Sequence, residues 1–477
     1  MEPIGVHSPF AFKDFTITFR DCTIKGTLLG ICLLAGLSPA SLEAQSKEAQ
    51  SNSETAALKG LAPVSALAST PGGKAALAAN YKITGGIQMG TIHQSTLLPF
   101  PQQQQQSLQD AAITGGNLEQ LADGLGTALG AAYTARAHYS PDQKTYTSVS
   151  PAVANLIAYA SGTSSAHSAS GKFFFANATT DGKKPVSEAR MAILKSIGGE
   201  TDIFGKSYGL PAGSAGADKY GNSRPFMTEP SLLPIVGPDF YNVPANNTVY
   251  NRGPIMNLVD SPSYPSGHTT YGYTGSLLLA ILVPERYQEM IARGAEYGND
   301  RIIVGSHYVM DVLGGRTLAL YDMAHLLAND PEYMGKTPKG ASPISDFQVA
   351  VKSARTEVTQ ALEAACGGTV AKCAHEDTSR LSKPAVNAAF YNETQTYALP
   401  VVYAKSANTP EDVSKVAPEA GYLLTAAFPW LKLEQADRIL TETEGPGGGF
   451  LDDGSGFGLY SRLNLYAAAG RVLAEKR

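Results

Sequence analysis

The turn Pro265-Ser266-Gly267-His268 constrains this chain more than any other segment, because it dictates where a helix must begin. Proline fixes the entry, and serine is a strong N-cap. Apolar residues then recur at helical spacing through Tyr271, Leu277, Leu278, Ile281 and Leu282, and the run stops before Pro284. A second helix is expected from Pro284 through Met290 to about Tyr297, and a third is expected to contain Arg301 to Leu320. Upstream, Leu108, Ala111, Ala112, Leu118, Leu121, Leu125 and Leu129 follow a helical period interrupted by glycines. The stretches 153–159 and 186–197 read as further helices. Strand-like alternation is scarce, so residues 108–330 are expected to form a mostly α core. Helical patches at 349–365, 414–430 and 463–475 make residues 331–477 a C-terminal extension packed on or beside that core.

The N-terminal quarter has a different character. Lys13, Arg20 and Lys25 precede an apolar run from Leu28 to Leu37, followed by the small residues Ser38, Ala40, Ser41 and Ala44. This order of charge, apolar core and small residues is that of an export signal, expected over residues 1–44. The run is too short to span a bilayer, which takes about 20 residues. Residues 45–107 are rich in Ala, Ser, Gly and Lys and read as a poorly ordered lead-in, with the glutamines 102–106 as an exposed loop. A periplasmic or secreted location follows from the signal, and it favours a disulfide between Cys366 and Cys373, the two cysteines beyond it. The net charge is −5, and no basic face stands out, which argues against nucleic acid as a partner. The chain is not expected to be an integral membrane protein, and a homo-oligomer is left open.

Several side chains could handle an anion. The N–H groups of Gly267 and His268 lie at a helix start, where free donors and the helix dipole attract negative charge. Glycine at 267 lets the backbone approach that anion closely. Arg301 and Arg224 offer planar forks matched to phosphate oxygens, and Lys219 offers a point charge. His307 and Asp311 are four residues apart, so a helix would place them on one face. The carboxylate could then hold the proton of one ring nitrogen and leave the other as a nucleophile. The ordinary alternatives are a capped helix and a surface ion pair. Each motif alone is weak; their order within about a hundred residues is what carries weight.

That ordered set resembles the type 2 phosphatidic acid phosphatase superfamily, which includes bacterial class A acid phosphatases and vanadium haloperoxidases. The superfamily pattern is a lysine, six residues and Arg-Pro; then Pro-Ser-Gly-His; then Ser-Arg, five residues, His, three residues and Asp. Here Arg224-Pro225, Pro265–His268, Arg301, His307 and Asp311 match, while Ala217 stands where the lysine is usual and Asp300 where the serine is usual. The wording around Arg293–Gly298 and Gly305–Tyr308 is most like the class A acid phosphatases. The resemblance implies a helical-bundle core, and a phosphatase acting on small phosphate esters without metal or other cofactor. In that mechanism His307 attacks phosphorus, Asp311 orients it, and His268 protonates the leaving oxygen. Lys219, Arg224, Ser266, Gly267 and Arg301 would hold the phosphate. Histidines near their ordinary pKa of about 6.5 would suit a mildly acidic optimum. The alternative is a haloperoxidase that binds vanadate in the same pocket. Asp300, if it pointed inward, would repel the anion.

Overall fold

A computed structural model describes residues 52–92, 96–112, 115–140, 145–175, 224–228, 234–247, 258 and 261–476. Residues 1–44, the helix expected at 186–197 and Lys219 lie outside them. The described residues are mostly α. The helices used below are α1 (Asn52–Leu61), α2 (Pro71–Gln88), α3 (Phe100–Gln109), α4 (Thr127–Thr134), α5 (Pro151–Phe175) and α6 (Gly267–Leu282). They continue with α7 (Tyr287–Ile303), α8 (Val309–Leu327), α9 (Phe347–Cys366), α10 (Pro384–Thr394) and α11 (Leu465–Glu475). The described strands form two short antiparallel ribbons. One pairs Tyr139–Ser140 with Thr145–Tyr146, and the other pairs Val236–Pro238 with Pro244–Asn246.

Helix α6 is the centre. Every residue from His268 to Leu282 is buried, so the helix is enclosed on all sides, its polar Thr269, Thr270, Thr274 and Ser276 included. It packs most extensively against α7 and also meets α5, α8 and α9. Each fully buried leucine in Leu277–Leu279 and Leu282 contributes about 1.5–3 kcal/mol of transfer free energy. Val283 and Pro284 end the helix, and the 3₁₀ turn Pro284–Arg286 reverses the chain into α7.

Three sequence expectations need correction. Residues 52–107 are not a loose lead-in. Helices α1 and α2 bury Leu58, Leu61 and Leu77 in one cluster with Ile302, Ile303, Val309 and Met310, directly behind the α7–α8 turn. Their contacts use small residues, which give little apolar signal in sequence. A Cβ on Gly60, for instance, would lie 2.1 Å from the Phe457 ring. The glutamine run is helix α3 rather than an exposed loop. Proline stands in its first turn, glutamine is a good helix former, and Gln103 is buried. Its amide donates to Asp300 at 2.9 Å and Glu296 at 3.2 Å.

The third correction is that Arg301 and Leu320 belong to different helices. Gly305 has φ +83°, a backbone that favours glycine. Ser306 N–H donates to the Arg301 carbonyl and Gly305 N–H to that of Ile302, both at 3.0 Å. This pair of bonds is a Schellman end, and it closes α7.

Ser51–Arg477 form one compact unit. No separate core begins at residue 331: Phe347, Val358, Phe390, Leu440 and Val472 lie in one cluster with Leu121, Tyr159 and Leu278. Cys366 and Cys373 are joined by a disulfide between the end of α9 and the short helix Val370–His375. No described helix is long and apolar enough to cross a membrane.

Candidate active site

Three helix ends converge on one point. The N-terminus of α6 brings Ser266, Gly267 and His268; the C-terminus of α7 brings Arg301; the turn into α8 brings His307 and Asp311. Ser266 caps α6, its hydroxyl accepting from Thr269 N–H at 3.1 Å. Ser266 N–H donates to the Asp311 carbonyl at 2.9 Å, so the two motifs are stitched through backbone. Gly314 and Gly315 of α8 make this fit possible. A Cβ on Gly315 would sit 2.5 Å from the Ser266 carbonyl oxygen, and one on Gly314 2.6 Å from the Tyr264 ring.

His307 precedes α8 rather than sharing a helical face with Asp311. Asp311 is the third residue of α8, and its Oδ2 accepts the Tyr308 N–H at 2.8 Å. The same oxygen lies 3.4 Å from His307 Nδ1 and accepts from the Ser263 hydroxyl. Helix α2 fixes the other free N–H groups of this helix start. Val309 N–H donates to Thr84 at 3.1 Å and Met310 N–H to Asn80 at 2.9 Å.

Arg224 settles the tautomer of His307. Its Nη1 lies 3.0 Å from His307 Nε2, and a guanidinium can only donate. Nε2 is therefore the acceptor, and the ring proton sits on Nδ1, toward Asp311 and Ser263. Arg224 also donates to the Ser261 carbonyl at 2.7 Å, the Ser306 carbonyl at 2.9 Å, and Ser261 Oγ and the Pro262 carbonyl, both at 3.1 Å. Pro225 opens the short helix that follows, and Phe226 N–H ties it to the Gly305 carbonyl at 3.0 Å.

The site is buried and cationic. Burial, then Arg224, Lys172, His268 and Arg301, hold His307 well below the ordinary histidine pKa. Burial, then Arg301, Lys172 and Arg224, do the same to His268. The expectation of unperturbed histidines is thus corrected, because both rings lie out of water among cations. Burial pushes Asp311 up to about 6, against the pull of Ser263, the Tyr308 N–H, Arg224 and Lys172. His268 Nε2 is buried without a hydrogen-bond partner, and the two rings stand 6.4 Å apart by centroids. Arg301 has one hydrogen bond, to the Ser107 carbonyl at 3.1 Å, with the Tyr297 ring 5.1 Å away and Nε unpartnered. Asp300 does not threaten an anion here. Its carboxyl turns to Gln103, and burial with Asp110 and Glu296 nearby raises its pKa well above the ordinary value, which disfavours a second negative charge here. Among the described residues no group of three His, Cys, Asp or Glu could hold a metal ion.

Residues 217–328 match the PAP2 superfamily. The non-specific acid phosphatase of Salmonella typhimurium is 47% identical over 64 residues, 13% of this chain and 26% of that protein. The acid phosphatase of Zymomonas mobilis is 42% identical over 64 residues, 13% of this chain and 24% of that protein. The non-specific acid phosphatase of Providencia stuartii is 34% identical over 122 residues, 26% of this chain and 42% of that protein. The chain thus spans about a quarter of the length of the first two relatives.

The site draws on residues from outside the matched segment. Lys172 and Ser168, one turn apart on α5, both face Gly267: a Cβ there would lie 3.3 Å from Ser168 Oγ and 3.4 Å from Lys172 Nζ. Burial and the Arg224 charge lower the Lys172 pKa to about 7, against the opposing pull of Asp311. Neither residue stands out in the sequence, where they end a helix rich in Ser, Ala and Gly. The other described histidines of the core are structural. His167 pairs with Asp322 at 2.8 Å and His325 with Asp330 at 2.7 Å, away from Gly267.

Proposed function

We propose that this chain is an exported phosphatase that hydrolyses phosphate monoesters through a phosphohistidine on His307. The observation that carries the reading is the His307 tautomer: a lone pair on Nε2 within a cationic pocket, with the Nδ1 proton directed at Asp311 and Ser263. The matched relatives, named acid phosphatases, support the same chemistry. An arriving phosphate offers Arg224 better acceptors than an imidazole nitrogen. Transfer of the Nη1 donor from Nε2 to a phosphate oxygen would uncover the lone pair. Nε2 then bonds to phosphorus as the ester P–O bond breaks, and Asp311 balances the charge that develops on the ring. The departing oxygen takes its proton from His268.

Burial and the neighbouring cations disfavour a proton on His268, so the substrate must help to load it. A phosphate ester monoanion carries a proton of pKa near ~6 and brings negative charge that offsets Arg301, Lys172 and Arg224. Both effects favour a protonated His268 in the complex. Water then attacks phosphorus, gives a proton to His268, and the P–N bond breaks to release phosphate. Arg224, Arg301 and the Gly267 N–H hold the equatorial oxygens, where transition-state charge spreads. Guanidinium charge thus supplies what a metal ion would otherwise supply, and we propose a metal-independent reaction. Export rests on the signal-like residues 1–44 and on the Cys366–Cys373 disulfide, which suits an oxidising compartment.

The test is hydrolysis of an aryl phosphate by the full chain with chelator present, followed by acid-labile phosphate capture on the protein. Turnover with a trapped phosphohistidine, both absent in His307→Ala, supports the reading. Wild-type protein that oxidises halide with added vanadate but leaves the ester intact would replace it with the haloperoxidase alternative.

A further inference from the structure

We infer that helix α5 completes the oxyanion cradle: Lys172 and Ser168 bind the phosphate, and Lys172 takes the place of the lysine missing at Ala217. The inference rests on the proposed phosphate site, and it goes beyond the matched segment, since both residues precede position 217.

Three observations converge. Lys172 Nζ and Ser168 Oγ stand at contact distance from the side-chain face of Gly267, the residue whose bare backbone opens the anion-binding helix start. Ser168 is buried, and its hydroxyl has no hydrogen-bond partner, which is costly unless a ligand supplies one. Among the described residues Lys172 has no ion-pair or hydrogen-bond partner, although its charge acts on His268, His307, Arg224 and Asp311. An ammonium held beside other cations with no carboxylate of its own is a poor structural element. Beside a tetrahedral anion it is a point-charge donor of three hydrogens. The i, i+4 spacing puts both groups on one side of α5, so a phosphate at Gly267 would touch a charged and a neutral donor together.

The test measures binding apart from turnover. Inorganic phosphate and orthovanadate are titrated into the full chain by calorimetry, with wild type, Lys172→Met, Lys172→Arg, Ser168→Ala and Lys219→Met compared. Lys172→Met is expected to weaken binding by about 10- to 100-fold, as for a lost charge-assisted bond. Ser168→Ala should weaken it by about 3- to 10-fold. Lys172→Arg should restore most of what Lys172→Met loses, which also covers the case where the methionine variant fails to fold. Lys219→Met should cost less than Lys172→Met. Wild-type affinity in Lys172→Met, or a larger loss in Lys219→Met, overturns the inference. Wild-type protein that binds phosphate without hydrolysing any ester overturns the phosphatase reading, and the same titrations still decide the role of Lys172.

Discussion

Arg293 and Arg301 lie two turns apart on α7, both buried, and their surroundings are opposite. Arg293 is saturated. Asp110 takes two of its donors at 2.6 Å, Asp123 accepts from Nε at 2.7 Å, and Glu296 lies 3.4 Å away. Arg380 closes the network from the C-terminal region, donating to Glu296 and Asp123 at 2.7 Å each. Arg301 has one carbonyl, one ring face and an orphaned Nε. A buried guanidinium with its carboxylates is finished and can only lose by change. One without them is, under the proposed function, held for an anion that is not part of the chain. Ionic saturation therefore separates scaffold from site along a single helix.

The contrast can be broken in four ways. The largest effect is expected at the nucleophile: His307→Ala should lower kcat/KM by about ten-thousand-fold or more, as for other covalent catalysts. Steady-state kinetics on an aryl phosphate reads this, and a residual activity above a few per cent would remove His307 from its role. Next, Arg293→Met should cost about 3–5 kcal/mol of stability, because it strands buried carboxylates. Urea denaturation reads the loss, and an unchanged midpoint would mean that the network is not structural.

Third, Arg301→Met should lower kcat/KM by about 10²- to 10³-fold while the denaturation midpoint holds or rises. Equal loss of stability in the Arg293 and Arg301 variants would erase the distinction drawn between them. The smallest effect concerns pH. Asp311 is anionic only above about 6, and Lys172 is cationic only below about 7. For the free enzyme, kcat/KM should therefore fall as pH drops through the first value and as it rises through the second. Lys172→Arg should carry the alkaline limb upward, since guanidinium stays charged. A limb that stays in place assigns it to another group.

Much of the site was legible because its chemistry is local. The serine cap, the α6 run up to Pro284 and the order Arg301, His307, Asp311 can be read from neighbours in the chain. What could not be read depends on partners far away. Gln103 is buried because Glu296 and Asp300 receive its amide, and no polarity scale anticipates that. Helices α1 and α2 buttress the His307 turn through Asn80, Thr84 and contacts made by glycine and alanine, which look like unordered composition. Lys172 sits at the end of a bland helix, and only the fold brings it to Gly267. Gly305 was visible as a residue, but the expected helix from Arg301 to Leu320 ran through it, because its positive φ is a property of the turn rather than of the apolar pattern.

The contact of Gly315 with the Ser266 carbonyl leaves no room for a methyl group. With 2.5 Å to a would-be Cβ, the serine turn either rests on α8 or is displaced from it, and Ser266 N–H keeps or loses the Asp311 carbonyl with it. Damage at this contact should then appear as fewer working molecules, each with ordinary affinity, rather than as a uniform population of impaired ones. Active-site titration of a Gly315→Ala preparation would count them.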